Sequence, residues 1–290
     1  MHDNPQAGSA SAFSLPDHRV IALWGRDAAT FAQAQFMNDL KVLAPGRWQW
    51  SGWLTPKGRV VALFALLKFD EENLWLLVPD AEPVTLAAAL QRFVFRSKVT
   101  IAARDDLRVE GAFVVPALAR GNAVAGEPET GIELDFSADE GPRTLRILPA
   151  STASHDPMWM ARWTAFDLRH GLARLPGTQS DHWTPQQLSL DRLNAFSVKK
   201  GCYPGQEIVA RTHFLGKVKR GVALVEANAA LHPGEDLKAA GEPLGHLVAS
   251  ADHDGRHLGL AVVPLDRAAA PLHVRDIEVH ELPLMEGLAR

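Results

Sequence analysis

One stretch, Lys199–Gly216 (KKGCYPGQEIVARTHFLG), constrains this chain more than any other. It gathers the single cysteine, Cys202, with Gly201, Pro204, Gly205, the adjacent Gln206 and Glu207, and Arg211. Glycine reaches positive φ without a steric penalty and proline fixes φ, so Lys200–Gly205 is expected to be a tight loop presenting Cys202 and Tyr203. Gln206–Phe214 then reads as a helix. Its Ile208, Val209 and Phe214 fall near one another, and Glu207 stands four residues before Arg211 in the order an ion pair prefers. A thiol at a helix mouth, with Lys199 and Lys200 beside it, meets free backbone N–H groups and the positive end of the helix dipole, which favour thiolate. A free cysteine is otherwise most often a small buried apolar residue.

With 290 residues, 47% hydrophobic and 22% charged, the chain is long enough to bury a substantial core over about two domains. A formal charge of -4 gives no basic footprint for nucleic acid, so direct binding to nucleic acid is not expected. One cysteine excludes an internal disulfide and an iron–sulfur cluster held by this chain's thiolates alone, which fits a reducing, cytoplasmic setting. Residues 1–14 lack a basic and apolar leader pattern and read as a flexible tail. Apolar runs such as Val60–Leu67 are far shorter than the roughly 20 residues of a spanning helix, so no membrane segment is expected.

Along the chain, Arg19–Trp24 reads as a strand and Asp27 as the cap of a helix over Ala28–Phe36. Arg47–Thr55 and Val60–Phe69 form a hairpin around Thr55-Pro56-Lys57-Gly58. Trp48, Trp50 and Trp53 either line a slot for a flat heterocycle or belong to the core. Asp80 is the expected cap of a helix over Pro83–Phe95, and a further helix runs Asp156–Gly171 with Trp159, Trp163 and Phe166 inside. Strands are expected at Asn73–Val78, Ser97–Ala102, Leu107–Val115, Gly131–Phe136 and Thr144–Leu148, and no Gly-rich phosphate loop occurs. Short runs beyond Lys217, at Gly221–Glu226, Leu244–Ser250, His257–Val263 and Asp276–Leu282, suggest a small barrel. The fold class is therefore α+β with antiparallel sheets. His253 and His257 flank Asp254-Gly255, a hairpin turn rather than a metal-binding helix face.

Lys200-Gly201-Cys202-Tyr203, then Gly205-Gln206-Glu207 and Arg211, resembles the signature of the YgfZ-type folate-binding proteins, relatives of the glycine-cleavage aminomethyltransferase. Thr55, Gly58 and Arg59, the segment Pro185-Gln186-Gln187 and the Gly241–Ser250 pattern are also similar to that superfamily. Residues 15–216 then correspond to a folate-binding body, of two interleaved subdomains, and 217–290 to a C-terminal β-barrel. The resemblance implies tetrahydrofolate or another reduced folate as cofactor, iron–sulfur client or assembly proteins as partners, and an indirect effect on tRNA modification. It makes Cys202 the thiol of the chemistry and assigns Lys200, Tyr203, Gln206, Glu207 and Arg211 to the binding site. Asp39, by itself a turn or cap residue, falls where aminomethyltransferases carry a carboxylate facing folate. One departure is Asp167, which stands where the family commonly has an arginine. A folate-dependent one-carbon transferase or demethylase and a scaffold with a vestigial folate pocket are the alternatives to an accessory folate-binding factor.

Overall fold

The computed structural model describes residues 12–150, 154–214, 216 and 218–290. Strand β1 is Phe13–Ser14, β2 His18–Trp24, and helix α1 Ala28–Gln35 follows. The hairpin is β3 Arg47–Leu54 and β4 Val60–Lys68, succeeded by β5 Asn73–Pro79, α2 Pro83–Gln91 and β6 Thr100–Ala103. Next come β7 Leu107–Ala112, β8 Val124–Glu127, β9 Gly131–Asp135, β10 Thr144–Pro149, α3 Pro157–Arg169 and α4 Gln206–Phe214. The last six strands are β11 Arg220–Ala227, β12 Asp236–Ala239, β13 Glu242–His253, β14 Arg256–Pro264, β15 Leu272–Val274 and β16 Ile277–Leu282.

These elements make two five-stranded sheets and a barrel. One sheet runs β3-β4-β5-β2-β6, the other β1-β7-β10-β9-β8, and β11-β14-β13-β12-β15-β16 closes on itself. All pairings are antiparallel, as expected of the α+β class. Closure leaves the barrel no free strand edge, which protects its short strands from pairing with other chains. Of the expected tail, residues 1–11 lie outside the described residues. Phe13 and Ser14, by contrast, pair with Gly111 and Glu110 of β7, and the Phe13 ring is buried against Phe113 and Trp159.

Several local expectations are revised by tertiary contacts. Asp27 makes no side-chain cap on α1; its carboxylate instead accepts the Lys98 backbone N–H at 2.6 Å. Glu82, not Asp80, caps α2 through the N–H groups of Val84 and Thr85. Asp80, at φ 65, is drawn off by Arg174, which approaches its carboxylate to 2.6 Å. The helix begins at Pro83, which makes Glu82 the cap by position and leaves Asp80, two residues earlier, to match the charge of the buried guanidinium. Helix α2 also stops at Gln91, short of Phe95, and Phe93 and Phe95 are left exposed.

Trp48 and Trp50 are core residues, 0% and 2% exposed. Trp48 stacks on Phe136, and Trp50 meets both edge-on. Trp53 faces the opposite side of the sheet, into a second core with Phe36, Phe64 and Leu86, because strand neighbours three residues apart point to opposite faces. The residues after β16 run back across the body. Trp50 Nε1 donates to the Leu288 carbonyl at 2.7 Å, Arg192 donates to the Met285 carbonyl, and Leu288 is buried in the same core as Trp48 and Trp50.

Asp167 is buried on α3, with its carboxylate 2.7 Å from Arg143 and 3.5 Å from Arg174. Arg143 is also fully buried, its guanidinium about 4 Å from the ring centres of Trp163 and Phe166. Asp167 is thus an acid that receives one arginine from just before β10 and another from the loop after α3.

Candidate functional site

The signature segment folds as a short irregular loop feeding α4, as the residue types require. Gly205 takes φ +78, and a Cβ there would lie 2.6 Å from the Thr55 carbonyl oxygen and 2.7 Å from Gly58 Cα. Gly58, at φ +71, in turn packs beneath Ile208. Two glycines thus let the loop and the β3–β4 turn meet backbone to backbone, which explains the joint presence of Thr55-x-x-Gly58 and Gly205. Gly201 shows no such demand, since a Cβ there would meet nothing within 4 Å. Arg59 completes the junction by donating to the His182 carbonyl and to Gln187, and Gln186 donates to the Val209 carbonyl of α4 at 2.8 Å.

Lys200 is buried, and its ammonium donates to the backbone carbonyls of Gln33 (2.6 Å), Phe36 and Asn38 (3.0 Å). All three ammonium hydrogens are thereby used on the C-terminal end of α1, where carbonyls lack helical partners and the dipole favours a cation. Burial lowers its pKa from 10.5 to about 8, against the opposing pull of the nearby Asp39 charge. Lys200 therefore fastens the loop to α1, and its amine faces away from solvent.

The neighbouring residues brace the same loop. Ser197 Oγ accepts the N–H groups of Lys199 and Lys200, both at 3.2 Å. The Tyr203 hydroxyl donates to the Ser197 carbonyl at 3.2 Å, and burial raises the phenol's pKa to about 12. Gln206 Nε2 donates to the Lys200 carbonyl at 3.2 Å. Glu207 and Arg211 are exposed on α4 and form no ion pair with each other within 4 Å. They stand outside the network that holds the loop.

Cys202 is exposed at the apex of this loop. It opens onto a cavity of about 490 Å³ lined by α1 residues Ala29, Thr30, Gln33 and Ala34, by Leu40 and Lys41, and by Lys68 and Glu71. Lys68 is held by Glu71 at 2.6 Å. Asp39 lies at the edge of this wall rather than in it. Its Oδ1 accepts Gln33 Nε2 and the Lys41 N–H, both at 3.0 Å, while Oδ2 has no partner among the described residues. Asn38 anchors the turn from below, donating to the carbonyls of Trp50 and Asn194. Its role was missed in the sequence, where only the adjacent carboxylate carried a chemical signal. The structure thus brings Cys202, Lys200, Tyr203, Gln206 and the Asp39 turn together around the end of α1, with Glu207 and Arg211 on the outer face of α4.

Among the described residues, no group of three or more His, Cys, Asp or Glu side chains could hold a metal. His253 and Arg256 pair across the Asp254-Gly255 hairpin turn, as the sequence predicts. No helix among the described residues is long and apolar enough to cross a membrane.

No family model matches the chain. The tRNA-modifying protein YgfZ of Vibrio vulnificus is 29% identical to it over 90% of this chain and 86% of its own length. The protein of the same name from Cronobacter sakazakii is 28% identical over 81% and 79%. An uncharacterized protein of Haemophilus influenzae is 30% identical over 71% of this chain and 70% of its own. In fold the chain is similar to the glycine cleavage system aminomethyltransferase T from Bartonella henselae, with a TM-score of 0.71 at 14% identity, covering 96% of this chain and 87% of that one. Over most of its length the chain is thus similar in sequence to the tRNA-modifying proteins YgfZ, and with its closed barrel it has the aminomethyltransferase fold.

Proposed function

We propose that this chain binds tetrahydrofolate and supports the assembly or repair of iron–sulfur clusters in client enzymes, acting on tRNA modification indirectly through them. The observation that carries this reading is Cys202, exposed on a loop immobilised through Lys200 and open to a cavity of about 490 Å³. A thiol meant only for packing is buried, and one held at a cavity mouth by a buried lysine is presented for chemistry.

The residues around the cavity suit a reduced folate. Asp39 Oδ2, which has no partner among the described residues, is able to accept pterin N–H groups, Ala29, Ala34 and Leu40 offer apolar wall, and Lys41 supplies a cation for the tail carboxylates. A bound reduced folate would supply one-carbon or reducing equivalents at this place. The chain's own part is to hold Asp39 through Gln33 and Lys41 and to keep Cys202 in reach of a client.

Calorimetric titration with tetrahydrofolate and replacement of Cys202 by Ala in cells test the reading together. Folate binding is expected in wild type and in Cys202→Ala, with weaker binding in Asp39→Asn. The Cys202→Ala chain should keep its Tm but fail to support an iron–sulfur-dependent tRNA-modifying enzyme. Absence of folate binding would leave a scaffold with a vestigial pocket. Full support of the client by Cys202→Ala would remove the thiol from the function.

A further inference from the structure

A second cavity, which shares no lining residue with the one at Cys202, lies between α3 and the tip of the β13–β14 hairpin. Its volume is about 680 Å³, and its walls include Trp159, Arg162 and Arg169 of α3, Glu140, and His253, Asp254 and Arg256 of the hairpin. Met158, Arg162 and Arg169 stand four and eleven residues apart, so they share one stripe of the helix. The hairpin turn, with Asp254 at φ 52 and Gly255 at φ 71, brings His253 and Arg256 against that stripe.

The charges here are unevenly matched. Arg169 is paired with Glu140 at 2.6 Å, His253 with Asp254 at 3.2 Å, and Arg256 with the barrel residue Glu226 at 3.3 Å. Arg162 has neither a carboxylate nor a hydrogen-bond acceptor among the described residues. Its guanidinium instead lies 4.2 Å from the Phe113 ring centre and 5.1 Å from that of Trp159. Stacking of this kind fixes the plane of the guanidinium while leaving its N–H edge free to donate. A half-buried arginine that merely covered aromatic surface would need no concave space before its donors. This one faces a cavity large enough for a small ligand, with a second arginine and an imidazole opposite.

We infer that this cleft is a binding site for a phosphate monoester carrying a flat ring, of the nucleoside monophosphate class. The phosphate is held by the Arg162 and Arg256 forks with His253, and the ring lies along Trp159 and the exposed Met158 on the rim. Planar bidentate donors match phosphate oxygens, and indole faces match nucleobases. The site uses side-chain arginines in place of a Gly-rich phosphate loop, which the sequence lacks, and it is independent of folate or Cys202.

The test is calorimetric titration of the full chain with adenosine 5′-monophosphate, pyrophosphate and adenosine, repeated on Arg162→Met, which keeps the apolar stem over Phe113 and Trp159. Wild type should bind the monophosphate, with weaker binding of pyrophosphate and none of adenosine. Arg162→Met should lose roughly tenfold or more in affinity at unchanged Tm. No heat of binding with the monophosphate or pyrophosphate up to about 1 mM, or equal affinity in Arg162→Met, would overturn the assignment. Tetrahydrofolate binding measured on the same samples reports on the Cys202 side separately.

Discussion

At the scale of single residues, Lys200 has the largest consequence for its surroundings. Its sequence neighbours suggest a cation placed beside a thiol, whereas the folded chain turns the amine inward to three carbonyls at the end of α1. Lys200→Met would leave those carbonyls unpaired in a buried place, and a loss of about 2–3 kcal/mol in urea unfolding is expected. The same buried amine fixes a pH dependence. Its folded pKa, about 8, lies below the unfolded value, so between about pH 8 and pH 10 the unfolded chain holds more protons at this residue. Stability contributed by this group therefore rises across that window and is lowest below pH 8. The rise should vanish in Lys200→Met, and an identical slope in both proteins would mean that Lys200 is solvated. Cys202, its neighbour by two positions, is legible in the sequence as chemically special because nothing else in the chain shares its setting. That its side chain is open to solvent follows only from the course of the loop, in which the adjacent Tyr203 is buried.

At the scale of elements, the unit that presents the thiol is a junction between α4's leading loop and the β3–β4 turn. Both halves are glycine motifs readable in the sequence, at Thr55–Arg59 and Gly201–Gly205, but their meeting is not, because they lie far apart in the chain. Gly205→Ala would force a Cβ to 2.6 Å from the Thr55 carbonyl at a positive φ, so a loss of about 1–3 kcal/mol is expected, with faster modification of Cys202 as the loop loosens. Gly201→Ala, with open space around it, should change neither quantity. Equal effects of the two substitutions would show that the junction does not depend on close backbone approach. The helix ends teach a related lesson. Asp27 sits at the cap position of α1, yet the Lys98 N–H takes its carboxylate, whereas Asp80 lies two residues before the cap position of α2, which Glu82 fills, and pairs with Arg174.

At the scale of the whole molecule, the barrel is joined to the body by more than the chain at Arg220. The segment after β16 lies along the body, with Leu288 buried against Trp48 and Trp50 and its carbonyl bound by the Trp50 indole. Leu288→Ala should cost about 2–4 kcal/mol, as for other buried leucines, and should shift indole emission to the red. A cost under about 0.5 kcal/mol would mean that this segment does not dock. By itself the sequence determined the local and the chemical: alternation and turn residues set most strands, Asp156 and Gly171 bracket α3, and a mixed signature around Cys202 carries the resemblance to the YgfZ proteins. Tertiary structure alone decided which polar groups partner one another, that the paired tryptophans Trp48 and Trp50 are core, and that Lys200 and Asp167 face inward. Those outcomes depend on desolvation, and whether a charge or an indole is desolvated is set by distant segments such as α1, β10 and residues 284–290, which no local pattern can anticipate.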